Sequence, residues 1–173
     1  MNETAQLAEA FPDVAKDIRV NLQNVLTPGA LNADQLWGTA IACAHAARNV
    51  ALRQAIEADA KSAGIGDGVV ADARAAAVLM AMNNVFYRFK HVIAKEEYEK
   101  RPARLRMQRL AQITSNKADF ELFCLAVSAI NNCQSCMAAH EAGVLKHGLT
   151  EDHVLDSIRI AATIHAAAVA ASL

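Results

Sequence analysis

The chain has 173 residues, enough for one domain with a sizeable core, and its 17 Lys and Arg against 18 Asp and Glu leave no charge excess for a nucleic-acid or acidic-membrane partner. Apolar residues make up 54% but aromatics only 5%, so alanine carries much of the apolar content. With three prolines and seven glycines, this predicts an all-α protein, because alanine is the best helix former and lets helices approach closely.

The opening MNETAQLAEAF is polar and lacks a basic region followed by an apolar run, so no signal peptide is expected. The longest apolar stretch read from the sequence, 160–173, is interrupted by His165 and is shorter than the roughly 20 residues a bilayer needs. The expected compartment is the cytoplasm, where a CxxC pair is more often catalytic or metal-binding than a structural staple.

Pro12 and Asp13 open a predicted first helix with Val14, Ile18, Leu22 and Val25 along one face, ended by Thr27, Pro28 and Gly29. Asn32 and Gln35 form a capping-box pattern for the next helix, which carries Leu36, Trp37, Ala40, Ile41 and Ala44 and is expected to stop at Asn49. A short helix follows with Leu52 and Ile56 inward. GIGDG (64–68) lacks the lysine and spacing of a P-loop and reads as a turn. A long helix is predicted over 69–89, then a charged run, AKEEYEKR (94–101), that reads as a solvated face before Pro102. Thr114, Ser115 and Asn116 read as a turn, and 119–130 as a helix with Phe120, Phe123, Val127 and Ile130 on its apolar side. Asn131 and Asn132 tolerate left-handed backbone and predict a break. A new helix is expected from near Cys133 to His147, stopped by Gly148, and Thr150 caps the last one, with Glu151 and Asp152 in its first turn.

A weak internal repeat runs through this order. Segment 34–49 falls over 120–135, with Leu36 on Leu122 and Trp37 on Phe123, and 73–81 falls over 158–166 with Arg74 on Arg159. The expectation is a single domain of two similar helical halves, about 13–90 as scaffold and about 102–173 carrying the cysteine pair, with Ala47 and Val50 at the matching first-half positions.

The chemistry concentrates in NNCQSCMAAHE (131–141). If Cys133 begins a helix, Cys133 and Cys136 are neighbours and His140 lies one turn beyond. The helix start stabilises a thiolate, which an unperturbed thiol with a pKa of about 8.5 scarcely supplies at neutral pH. The arrangement makes sense as an activated dithiol cycling with a disulfide. Folding at the asparagine pair lets Glu121 reach His140 and complete a relay, although a carboxylate near a helix start more often faces water. A metal reading uses Cys133, Cys136 and His140 with Glu121 or Glu141 as fourth ligand, but the second ligand pair usual in structural zinc sites is missing from the sequence. Cys43 and Cys124 read as buried small hydrophobes, His45 and His165 as helical histidines, and His91, His147 and His153 as solvent-facing.

FELFCLAVSAINNCQSCMAAHE (120–141) resembles the active-site segment of the AhpD family of alkylhydroperoxidases, within the carboxymuconolactone decarboxylase-like superfamily. AKDIRVNL (15–22), QLWGT (35–39), MNNVFYR (82–88) and LRM (105–107) resemble further AhpD segments in the right order, so the likeness covers nearly the whole chain. The resemblance implies an all-α fold of two similar halves, a homotrimer, peroxidase activity and reduction of an AhpC-type peroxiredoxin. It implies dihydrolipoamide, on a lipoylated acyltransferase, as external electron donor; the expectation for the chain itself is a dithiol enzyme with no tightly bound cofactor or metal. By that similarity Cys136 is the peroxidatic cysteine, Cys133 resolves it as a disulfide, and His140 and Glu121 form the proton relay, directly or through water. One position departs: where the mycobacterial type has histidine before the second cysteine, this chain has Ser135, which can hydrogen-bond but is no base near neutral pH. The rival readings are a metal-binding or redox-sensing helical oligomer, and a decarboxylase-like enzyme on the same fold, whose members generally lack the cysteine pair.

Overall fold

The computed structural model describes residues 2–173; Met1, at the head of the polar opening stretch, lies outside them. Among the described residues the chain forms nine α-helices and no strand: α1 (Glu3–Glu9), α2 (Lys16–Val25), α3 (Ala33–Ala47), α4 (Val50–Ser62), α5 (Asp67–Ile93), α6 (Glu96–Glu99), α7 (Lys117–Ile130), α8 (Gln134–Lys146) and α9 (Glu151–Ala170). The fold is therefore all-α, as composition requires.

The polar N-terminal stretch is not idle. It forms α1, capped by Asn2, whose side chain accepts the Ala5 N–H at 2.8 Å. Buried Asp59 of α4 accepts the N–H groups of Glu3 and Thr4 at 2.8 and 2.9 Å, fixing α1 on α4. The first predicted helix is cut short. Residues Asp13–Ala15 make a 3-10 turn and α2 starts only at Lys16. Val14 is 86% exposed instead of inward, because the tighter turn rotates it off the 3.6-residue row.

The Asn32–Gln35 capping box opens α3 as expected. Asn49 does not stop that helix. Arg48 takes the left-handed conformation that ends it (φ 60°), and Asn49 caps α4 by accepting the Leu52 N–H at 3.0 Å. Helix α5 extends beyond 69–89 at both ends. By length and composition it could cross a membrane, but half of its apolar window is buried inside the bundle. The run 94–101, with α6 inside it, is exposed throughout, as its charges predict.

Helices α3 and α7 cross at the centre, each flanked by α5 and α9. Gly38 of α3 faces the Phe123 ring of α7, and a Cβ there would overlap it. From Ala40 to Ala44 and from Leu122 to Ser128 every residue is buried. On the α3–α7 contact, Gln35 Nε2 donates to Asp119 Oδ1 at 2.8 Å, 84 residues along the chain. The same spacing relates the caps Asn32 and Asn116, the left-handed residues Arg48 and Asn132, and the left-handed Gly64 and Gly148. It also relates two exchanged contacts. Asp72 of α5 accepts the Thr114 N–H leading into α7, and Asp156 of α9 accepts the Ala30 N–H leading into α3, at 2.8 and 2.9 Å.

This register differs by one or two residues from the one read in the sequence. Matching bulky side chains in alanine-rich helices is nearly degenerate, whereas caps and left-handed turns occur once per helix. The counterparts of Cys133 and Cys136 are thus Asn49 and Leu52 rather than Ala47 and Val50, and Arg74 corresponds to Ile158 rather than Arg159.

Candidate active site

The cysteine pair sits where α7 turns into α8, and the break is built from local backbone bonds. The Asn131 N–H donates to Val127 O at 3.0 Å and the Cys133 N–H to Ser128 O at 3.1 Å, with Asn132 left-handed between them (φ 53°). Side chains tie this corner to α5. Asn84 donates to Ser128 Oγ at 3.0 Å and accepts from Asn131 Nδ2 at 2.9 Å, and Arg88 Nη1 donates to Asn131 O at 2.6 Å. Cys133 therefore takes the N-cap position of α8, where no side chain caps the first turn. The free N–H groups and the helix dipole favour negative charge on sulfur there.

Cys133 and Cys136 are joined as a disulfide, with Cα atoms 5.3 Å apart. Their surroundings differ. Cys133 is fully buried, while Cys136 is 7% exposed and lines a cavity of about 260 Å³. Met80, Asn83 and Tyr87 of α5, Met107, and Ser135, Cys136, Ala139 and His140 of α8 line this cavity. Ser135 Oγ lies 3.8 Å from Cys133 Sγ, a contact on the buried sulfur.

His140 Nδ1 donates to Glu121 Oε2 at 2.7 Å. That hydrogen bond holds the Glu121 carboxyl below the usual carboxylate range, against the opposing effect of burial. Glu121 thus does not face open water as a residue near a helix start usually does. Gly143 of α8 makes room for it: a Cβ there would lie 3.1 Å from both Cδ and Oε2 of Glu121. The other ring nitrogen, Nε2, lies 3.2 Å from Met80 Sδ. The ring is thereby held between a carboxylate on α7 and a thioether on α5.

All four residues singled out in the sequence, Glu121, Cys133, Cys136 and His140, meet at this corner. Glu141 joins no metal-holding group, and none of three or more His, Cys, Asp and Glu side chains occurs among the described residues. Cys43 and Cys124 are buried, and burial pushes both thiols up, helped at Cys124 by the charge of Glu121. His45 lies away from the pair, with Nε2 2.7 Å from Glu57 Oε1, and Glu57 accepts two hydrogen bonds from Arg74 at 2.9 and 2.8 Å. His165 is exposed on α9, as are His91 and His147, and His153 is partly buried at the α9 cap, where its Nδ1 accepts the Thr150 N–H at 3.3 Å.

Sequence reasoning gave no separate role to Met80, Asn83, Tyr87, Met107 or Gly143. A signal was present for three of them. Asn83 and Tyr87 lie in MNNVFYR and Met107 ends LRM, segments noted only for their family likeness.

A family model described as "Carboxymuconolactone decarboxylase family" matches residues 96–173, the stretch that contains the disulfide. A protein of Anaeromyxobacter sp. (strain Fw109-5) named "Alkyl hydroperoxide reductase AhpD" is 55% identical over 170 residues, covering 98% of this chain and 91% of that protein. One of the same name from Anaeromyxobacter dehalogenans (strain 2CP-C) is 54% identical over 96% of this chain and 89% of its own length. Another from Solibacter usitatus (strain Ellin6076) is 46% identical over 94% of this chain and 92% of its own.

Proposed function

The chain belongs to the AhpD family of alkyl hydroperoxide reductases, and from that membership we propose that it is a dithiol peroxidase working through Cys133, Cys136, His140 and Glu121. The observation that carries the reading is the disulfide with one sulfur facing a cavity beside a His–Glu pair. Because Cys136 lines the cavity and Cys133 is buried, Cys136 is the sulfur that meets the hydroperoxide.

In the reduced protein His140 takes the Cys136 thiol proton, and Glu121 balances the resulting imidazolium. The thiolate attacks the terminal oxygen of R–O–O–H. A sulfur–oxygen bond forms, the O–O bond breaks, and its electron pair leaves on alkoxide, which takes the proton from His140 as alcohol. Cys133, as thiolate, then attacks the Cys136 sulfenic sulfur. The departing hydroxide takes a proton to become water, and the disulfide closes. An external dithiol of the dihydrolipoamide type, carried on a lipoylated acyltransferase, returns two electrons, and the reduced pair also recycles an AhpC-type peroxiredoxin. A cytoplasmic homotrimer with no tightly bound cofactor completes the proposal.

The test is hydroperoxide consumption with dihydrolipoamide as reductant. Cys136→Ser is expected to lower turnover by about a thousandfold or more, the scale of losing a covalent nucleophile. Full activity in that variant would sink the assignment. Comparing dihydrolipoamide with thioredoxin as electron source for an oxidised peroxiredoxin identifies the reductant.

A further inference from the structure

Six of the chain's 17 Lys and Arg, and none of its 18 Asp and Glu, fall within residues 100–118. The chain as a whole is nearly neutral, so this local excess needs its own account. Two of the six are matched close by: Lys100 pairs with Glu96 at 2.5 Å, and Arg109 with buried Asp72. Lys117 begins α7 and acts through its charge on Glu121. Arg101, Arg104 and Arg106 are exposed, and among the described residues their side chains make no ion pair or hydrogen bond.

These arginines ride on a strap that is tied to α5 at three points. Buried Lys90 donates to Glu99 O at 3.1 Å and to Arg101 O at 3.4 Å. Near the other end of α5, Asp72 accepts the N–H groups of Thr114 and Ser115 at 2.8 and 2.7 Å. Between these anchors Asn83 Nδ2 donates to Met107 Sδ at 3.2 Å. Ala103, Leu105 and Met107 are half-buried while Arg104 and Arg106 alternate outward, and Met107 lines the same cavity as Cys136. Arg104 is also left-handed (φ 52°). Arg48 and Ala94 take that conformation to end helices and Asn132 to make the α7–α8 break, but Arg104 ends none. A strained residue that local structure does not need points to function.

Resting on the reading that an external dithiol reopens the disulfide, we propose that this strap is the docking surface for the protein that carries the dithiol, and that the partner presents carboxylates beside it. Arginine pairs with carboxylates through two parallel hydrogen bonds, and unpaired cations on one rim steer an acidic partner into encounter. A cavity of about 260 Å³ admits a thin arm but no folded domain, so the carrier's body stays outside against the strap. One partner thiolate attacks the Cys136 sulfur. A mixed disulfide forms, the Cys133–Cys136 bond breaks, and its electron pair leaves on Cys133 at the α8 N-cap, where thiolate is favoured. The partner's second thiolate closes the partner's own disulfide and releases Cys136, and the two protons of the partner dithiol are returned to the cysteine pair.

The test uses the full-length disulfide form and two peptides carrying the same dihydrolipoyl-lysine, one flanked by four glutamates and the other by four glutamines. Disulfide opening is followed by rapid alkylation and mass spectrometry of Cys133 and Cys136. The acidic peptide is expected to open it about tenfold faster at low ionic strength, and the advantage to shrink toward parity near ~1 M salt. Arg104→Asn combined with Arg106→Gln is expected to erase the advantage and leave the rate with neutral dihydrolipoamide unchanged; asparagine accepts the left-handed backbone. Equal rates for the two peptides, or an advantage that survives this exchange, overturns the proposal. A change of oligomeric state on the exchange, read by sedimentation, assigns the strap to a contact between copies and also overturns it. No opening by either peptide defeats the proposal together with the reductant it rests on. Equal peptide rates with intact hydroperoxide consumption defeat the docking surface alone, whereas acidic preference without hydroperoxide consumption upholds the surface and defeats the peroxidase reading.

Discussion

Cys133 and Cys136 are three residues apart, yet the fold gives them unequal surroundings: one is sealed at the helix cap and the other opens on a cavity. This division makes a prediction for the sealed member. Cys133→Ser still allows Cys136 to be oxidised once, but no disulfide can close. A sulfenic acid at Cys136 is expected to accumulate with one equivalent of hydroperoxide, read by dimedone labelling and mass spectrometry. The relay predicts a second result. Glu121 is held below the usual carboxylate range by the His140 hydrogen bond, so it is ionised at neutral pH. Glu121→Gln keeps the shape and removes the charge. It is expected to lower kcat about 10- to 100-fold at neutral pH, read in steady-state hydroperoxide turnover. The sequence showed the cysteines and His140 through spacing alone. It could not show Glu121 inward, because its partner is 19 residues away and the turn between them decides the approach.

Elements position these side chains, and the contact of α7 with α8 is the decisive one. Gly143 lets the Glu121 carboxylate lie against the α8 backbone, and no side chain larger than hydrogen fits without moving it. In a helix interior, Gly→Ala ordinarily gains about 1 kcal/mol. Gly143→Ala is therefore expected to lose activity, about tenfold, while thermal stability holds or rises, a separation that kcat and Tm measured together would reveal. The asparagine pair was legible as a break because few other residues accept a left-handed backbone. Its anchoring by Asn84 and Arg88 was not legible, since those residues lie more than 40 positions earlier and look like any polar residues on a long helix.

At the scale of the whole molecule, an ion-pair clasp away from the cysteine pair joins three helices. Glu57 of α4 joins His45 of α3 and Arg74 of α5. Hydrogen bonds from Arg74, and then from His45, outweigh burial and pull the Glu57 carboxyl down from 4.5 to about 2. A depressed carboxyl stabilises the fold fully above its unfolded value and loses that contribution as pH falls toward its folded one. The window is therefore about pH 4.5 down to 2. Arg74 is half exposed, so the effect is about 2 kcal/mol after allowance for solvent screening. Glu57→Gln is expected to lower stability at pH 7 by about that amount and to flatten the pH dependence of urea unfolding in that window.

Composition by itself settled an all-helical chain, and local spacing settled most caps and turns together with the dithiol and its histidine. Those features depend on neighbours within one or two turns, which the sequence places directly. Packing alone decided which sulfur faces the cavity, that Glu121 turns inward, and that the 84-residue spacing runs through caps and left-handed turns and not through bulky side chains. Met80, 60 residues before His140, meets it only because α5 packs beside α8, and helical periodicity does not encode which faces of distant helices will touch.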